Sequence, residues 1–482
     1  MKNLSTSGIS FKVKIFSFAI ILRLIPVLLS FNLGIGLDDM FQYDMLARSI
    51  ESGNGYRWYA KDDLYLAQQY IHFDMSLVNY DSRGVLTSFR PPLYPTFLAI
   101  VYLIFGTGPR RFFIARLIQV LLSAALVPLT YKISPLVFPE KEKIWKVSAW
   151  IVAIYPMLVI YPLALATENL FFLLITASVY VLLMAQRKQT WYWFASAGIL
   201  LGLTALTRSV ALAFAGLAVM WVWMSLKDFK SALIVFLAVS VVTLPWMVRN
   251  TLLHHKLMGI ESALGYDLYV GYHPLSTGTF QYGISLDLIP YLDDGLRDEI
   301  GQARALEFIK SDPGRIPYLI VRRLGYFWGL ERRALTYFYS NNFLGYIPIY
   351  ILIPLALLFV VPLTLLCISA VFGFATINWN SSTKLILLLI LGYMAPHIFI
   401  LGEDRFHLTL IPFLAIAVAY AWGNGWNAVK NRWKALNGKM AIIMAVLISL
   451  LLILNWSVEL YRDRTMLSDV FSQTGNVTYL PY

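Results

Sequence analysis

Stretches of about twenty apolar residues with few charges recur along almost the whole chain, and they constrain its fold more than any other feature. Twenty helical residues at about 1.5 Å each match the roughly 30 Å hydrocarbon core of a bilayer. In lipid the backbone must satisfy its own polar groups, so stretches of this length can span only as helices. Residues 14–33, 112–133, 147–165, 170–185, 191–206, 210–226, 231–248, 345–372, 385–402, 408–425 and 440–457 qualify. The expected fold is an all-α polytopic membrane protein with about eleven transmembrane helices. Composition agrees: of 482 residues 59% are hydrophobic and only 14% charged, with a mean hydropathy of +0.65.

The formal charge of +12 invites a nucleic-acid reading. Basic residues beside membrane segments instead report orientation and lipid headgroups, so membrane lipids are expected partners and nucleic acid is not. The single cysteine, Cys367, lies in an apolar run and excludes an intramolecular disulfide or a thiolate metal cluster. Lys2, Lys12 and Lys14 before the first apolar stretch resemble the start of a signal peptide, but no small-residue cleavage site follows, so the stretch is expected to be retained.

Lysine placement tests the topology. With the N-terminus in the cytoplasm, the inside loops hold Lys141, Lys143 and Lys146; Arg187 and Lys188; Lys227 and Lys230; Lys384; and Lys430, Arg432, Lys434 and Lys439. Every inside loop is then basic, as expected for a multi-pass protein of the cell membrane. Arg90 to Gly106 is short and begins with prolines, so it is expected to lie at the outer interface. The run Leu344 to Thr376, with Pro348, Pro354 and Pro362, is expected to form one tilted or kinked span.

This scheme leaves two large outer segments, 34–111 and 249–343, within a single domain 1–482 whose last helices occupy 344–482. The second segment is the expected cover for donor or acceptor. In it Ile300, Ala303, Leu306 and Ile309 repeat at helical spacing before the Asp312-Pro313-Gly314 break, which predicts surface helices on the membrane. No internal repeat or low-complexity tract is evident.

The same scheme puts Asp38, Asp39, Asp44, Glu168, Arg208, Arg249, Glu403, Asp404 and Arg405 on the outer side, at loops or helix ends. Charges beside a bilayer are costly to desolvate and often mark a substrate path, although each one alone could simply be solvated or snorkel. Many outer basic residues are arginines, namely Arg90, Arg110, Arg111, Arg116, Arg208, Arg249, Arg322, Arg323, Arg332, Arg333 and Arg405. A guanidinium forks onto phosphate oxygens whereas lysine acts as a point charge. Arg322, Arg323, Arg332 and Arg333 are read as headgroup anchors, and Arg208, Arg249 and Arg405 as phosphate ligands. Carboxylates with arginines suit transfer chemistry on a lipid phosphate: one takes a proton, the others stabilise the leaving charge. No GxxxxGK[ST] or GxGxxG supports a nucleotide cradle.

Over most of its length the chain resembles the C-type glycosyltransferase superfamily, in the bacterial branch of protein O-mannosyltransferases and lipid A aminoarabinose transferases (glycosyltransferase family 39-like). The resemblance rests on Asp39, Tyr43, Ala47 and Arg48 in the first loop, "RPPLYP" from Arg90, "ATENLF", "GLTALTR", "LPWMVRN" and "EDRFHLTLIPFLAI" in this order. It implies an inverting enzyme that moves a sugar from a polyprenyl-phosphate donor at the outer face. It gives Asp39 the role of catalytic base, with Asp38 next and Asp44 third; Asp44 is otherwise read as capping or solvating the following helix. It makes Glu168 the second acidic position, which orients base or acceptor. Arg208 and Arg249 fall near the donor phosphate, joined by Arg90, and Arg405 matches the basic residue of the late motif. Many relatives place a second arginine after it, where this chain has Phe406 and His407. Tyr43, Asp44, Glu403, Asp404 and His407 complete the substrate-cavity candidates.

No cofactor is expected to be required. Asp39, Glu168 and His72 offer metal-ligating atoms without dense ligand spacing; His254 and His255 read as interfacial, and His407 beside Asp404 as a metal or proton-shuttle candidate. The acceptor is left open among a protein, a glycolipid and a polysaccharide. A transporter or flippase of a lipid-linked glycan is the alternative class, and a membrane scaffold the third. A flippase would tolerate loss of a base at Asp39; the enzyme would not.

Overall fold

The computed structural model describes residues 10–75, 80–139, 141–332, 348–436, 438–465 and 467–468. After α1 (Phe11–Leu29) the first outer segment folds into α2 (Asp39–Glu51), α3 (Lys61–Ala67) and α4 (Leu93–Phe105). Two two-residue strands, Arg57–Trp58 and Val85–Leu86, pair antiparallel between them. There follow α5 (Arg111–Val137), α6 (Glu142–Ile154), α7 (Pro156–Ile160), α8 (Glu168–Lys188), α9 (Trp191–Thr207), α10 (Ala211–Leu226) and α11 (Phe229–His254). The second outer segment contains α12 (Leu264–Tyr272), α13 (Tyr282–Ser285), α14 (Asp294–Ser311) and α15 (Arg315–Phe327). The chain then runs through α16 (Ile349–Thr376), α17 (Ser381–Phe399), α18 (Ile411–Lys434) and α19 (Gly438–Arg462). The first half of α18, Ile411 to Ala419, is buried on every side and forms the axis of the bundle.

Each of the eleven apolar stretches forms helix, but length and apolarity support fewer crossings. Among the described residues seven helices qualify, or eight when the bent pair of α6 and α7 counts as one. The shortfall has physical causes: α9 and α10 have only 17 and 16 residues, and α1 carries Lys12, Lys14 and Arg23. α16 is one helix of 28 residues despite Pro354 and Pro362; the residues through 347, where its span was expected to begin, lie outside those described.

The stretch 147–165 is not a straight span, because α6 and the segment Pro156–Leu163 meet at 56°. Pro156 has no N–H to offer the carbonyl of Val152 one turn earlier. Arg23, fully buried in α1, takes that role: it donates to the carbonyls of Val152 (3.0 Å) and Ala153 (2.9 Å) and to Ser123 Oγ (2.8 Å). Arg116 fastens the other end, donating to the carbonyls of Leu163 (2.8 Å) and Gly34 (2.7 Å). Replacing Arg23 by Met leaves buried carbonyls without donors and is expected to destabilise the protein by about 2–5 kcal/mol. Denaturation in detergent reads this as a lower midpoint, and Arg23→Lys recovers only part because an ammonium lacks the fork.

In the second outer segment, α14 and α15 are separated at Asp312-Pro313-Gly314 as expected, but the buried face of α14 differs. Arg297, Asp298, Gly301 and Ala305 face inward, while Leu306 is 50% exposed. The cause is a backbone-to-backbone approach against α12: a Cβ on Gly301 would lie 2.4 Å from the Gly265 carbonyl oxygen. Small residues therefore set the register in place of the apolar repeat. The headgroup-anchor reading also fails at two arginines. Arg323 is buried and donates to the carbonyls of Phe399 (2.8 Å) and Gly271 (2.6 Å), and Arg332 pairs with Glu459 at 2.7 Å. Arg333 lies outside the described residues.

Candidate active site

A cavity of about 680 Å³ opens where the two outer segments meet the helix ends. Its walls are the start of α2 with Phe89, Arg90 and Pro91, the bend before α8, the α9–α10 turn, the stretch Glu261 to Arg297, and the end of α17 through Phe406.

Local structure aims each charge. Asp38 is the N-cap of α2, its carboxylate accepting from Met40 N at 2.9 Å, and Asp39 is the first helical residue. The positive end of α2 thus points toward the cavity. Arg90 forms an ion pair with Asp39, is braced by Gln42 Oε1 at 2.8 Å and lies over Tyr43 at 5.6 Å and Phe89 at 5.0 Å. Glu168 begins α8 and meets Arg208, at the end of α9, at 2.7 Å. Arg405 stands between them, 3.6 Å from Asp39, 3.8 Å from Glu168 and 3.8 Å from Glu403. The result is an alternating row, Arg90–Asp39–Arg405–Glu168–Arg208, across the cavity wall.

Electrostatics separate the two adjacent aspartates. Burial would raise the Asp39 carboxyl, but the guanidiniums of Arg90, Arg405 and Arg208 outweigh it and hold the group below its usual range. At Asp38 burial and then the negative charge of Asp39 push the carboxyl up to about 6; the residue keeps an open face to the cavity although protein surrounds it closely. Across the cavity, burial and then Glu261 push Asp267 up to about 7, and burial raises Glu261.

The structure brings Asp38, Asp39, Tyr43, Arg90, Glu168, Arg208, Glu403 and Arg405 together as cavity lining. Asp44 is neither lining nor cap: it sits fully buried inside α2, bonded to Arg48 (2.8 Å), Arg111 (2.8 Å) and Tyr102 (2.9 Å). Arg249 lies apart too, donating to the Thr87 carbonyl at 2.6 Å beneath Trp246. His407 is buried against Glu331 at 3.0 Å and stacked on Trp328, and Asp404 lies beside Gly329. Sequence reasoning missed Glu261, Asp267, Arg297 and the tyrosines 59, 266 and 282, all of which line the cavity. Single polar residues in a long loop carry no periodicity that would single them out.

Among the cavity carboxylates, Asp39, Glu168 and Glu403 each lie against a guanidinium. His72 is not in the lining. Elsewhere, among the described residues, His254, Asp293 and Asp294 bring ligand atoms within 4.8 Å. Asp294 already accepts from Ser88 N and from Thr87 and Ser262 hydroxyls, and Asp293 caps α14.

Fold and cavity together define a multi-pass membrane protein with a charged pocket at its helix ends. Residues 89–248 match the family described as dolichyl-phosphate-mannose-protein mannosyltransferase, which bears out the resemblance to the C-type glycosyltransferase superfamily over that stretch. No curated protein matches the chain. Among solved structures it is similar to the Archaeoglobus fulgidus oligosaccharyltransferase tethered to an acceptor peptide, at 14% identity and a TM-score of 0.49, covering 98% of this chain and 56% of that one. The AglB oligosaccharyltransferase of the same organism, in complex with an inhibitory peptide and dolichol-phosphate, gives 16%, 0.48, 92% and 55%. ArnT from Cupriavidus metallidurans bound to undecaprenyl phosphate gives 11%, 0.40, 89% and 80%. The chain spans little more than half the length of the archaeal proteins.

Proposed function

We propose that the protein is an inverting glycosyltransferase that moves a sugar from a polyprenyl-phosphate donor to an acceptor at the outer face of the cell membrane. The observation that carries the proposal is the alternating row from Arg90 to Arg208. A carboxylate at Asp39 takes the proton of an acceptor hydroxyl as its oxygen bonds to the sugar C1. The bond from C1 to the phosphate oxygen breaks on the opposite side, and Arg405 and Arg208 stabilise the charge left on the prenyl phosphate. Glu168 holds both arginines in place, and no metal is needed for this charge balance. The N-terminus is placed in the cytoplasm, and the acceptor is a glycolipid, a polysaccharide or a protein.

A second assignment of the base has its own support. Asp38, pushed up to about 6, has a proton affinity closer to the optimum for a base at neutral pH than the arginine-bound Asp39. The pH dependence of transfer separates the two. A base at Asp38 loses activity as pH falls through about 6, because protonation removes it; a base at Asp39, held below its usual range by Arg90, Arg405 and Arg208, keeps transfer rates level through that window. The direct test uses the full chain in lipid, radiolabelled polyprenyl-phosphate sugars and membrane acceptors of the source cell. Labelled acceptor supports the enzyme. Movement of intact donor across the bilayer without transfer would replace it by the transporter.

A further inference from the structure

His397 lies in the last turn of α17, one residue after Pro396. Aromatic rings clamp its imidazole: Phe406 stacks on it at 4.0 Å between centroids, Tyr393 meets it edge-on at 5.0 Å, and Phe327 lies at 5.9 Å. The residue is only 5% exposed and lines the cavity, yet its Nε2 has no hydrogen-bond partner. One further lining atom shares that condition, Arg405 Nε; the carboxylates of Glu168 and Glu403, each 3.8 Å away, are too far from it to bond. Buried polar atoms are nearly always bonded, so two exceptions on one cavity wall call for a common cause.

His397 and Arg405 belong to one cluster with Arg208. The Arg208 and Arg405 guanidiniums lie 5.2 Å and 5.9 Å from the centroid of Phe406, the ring on which His397 stacks. A group with several anionic oxygens would accept from Arg405 Nε and from an Nε2–H of His397 together. We propose that His397 is a third ligand of the prenyl-linked phosphate, completing a seat formed with Arg208 and Arg405. The clamp holds the imidazole in one orientation before the lipid arrives, so little side-chain freedom is lost on binding. An ordinary packing role would leave Nε2 irrelevant, since a phenyl ring stacks as well. The proposal rests on the reading of this cavity as a polyprenyl-phosphate site.

The test measures binding without turnover. Full-length wild type, His397→Phe and His397→Gln in lipid nanodiscs are titrated with a long-chain polyprenyl phosphate and with the matching polyprenol. The expected result is an affinity for the phosphate about tenfold lower in His397→Phe, with polyprenol binding unchanged. His397→Gln, which keeps an N–H donor, stays within about threefold of wild type. His397→Leu serves as the donor-free variant if the Phe protein does not elute as a single folded species. Equal affinity of wild type and the donor-free variant for the phosphate overturns the role of His397 alone, as does an equal loss for both lipids, the mark of packing. A wild type that does not prefer phosphate over alcohol removes the underlying reading of the cavity.

Discussion

Asp39→Asn is expected to lower sugar transfer by about 10²- to 10⁴-fold while prenyl-phosphate binding is kept or tightened. The size is that of removing a positioned general base. The direction of the binding change follows from the ion pairs: Asp39 neutralises part of Arg90 and Arg405, and the isosteric amide leaves both guanidiniums freer for phosphate. A fall in kcat without a rise in KM is therefore the signature, because the lost interaction belongs to the transition state. Steady-state transfer and lipid binding on the same folded preparation give both quantities. Unchanged transfer would remove Asp39 from the chemistry, and a loss confined to Asp38→Asn would move the base by one residue.

Arg208→Met is expected to cost about 3–5 kcal/mol of stability and to abolish detectable transfer. Glu168 is buried, and its nearest counter-charge at 2.7 Å would be gone, leaving only Arg405 at 3.8 Å. The double variant Arg208→Met/Glu168→Gln removes the stranded charge and is expected to regain most of the stability. It does not regain transfer, because the phosphate still lacks a ligand. Thermal unfolding in detergent with transfer assays on the three proteins separates the pair's structural role from its proposed chemical one; recovery of both quantities together would deny Arg208 a part in the reaction.

The sequence shows what the bilayer imposes and little of what the chain does to itself. All eleven apolar stretches are helical because a hydrocarbon solvent demands it, but short length and added charge decide which qualify as spans, as α9, α10 and α1 illustrate. The acidic and basic ends that share one side were legible from alternation across the membrane, and seven of them do meet. Arg323 was misread because its partners are backbone carbonyls, which every residue possesses and no pattern advertises. Asp44 was misread for a related reason: its helical neighbour Arg48 is four residues away, but Arg111 and Tyr102 reach it only after the first segment folds back. The bend at Pro156 was hidden because apolar residues continue on both sides of it. Glu261 and Asp267 join the cavity through α12, whose position depends on the glycine contact with α14.

The Glu168–Arg208 pair also bears on how the protein can be made. The two residues stand at the open ends of consecutive helices, α8 and α9, which pack against each other along their length. Each alone would carry a naked charge toward hydrocarbon as the chain leaves the ribosome. Emerging as one hairpin, they enter the bilayer as a dipole with no net charge at that end, before Arg405 has been translated. The bond that later shapes the cavity is thus available from the outset as a built-in counter-ion for insertion.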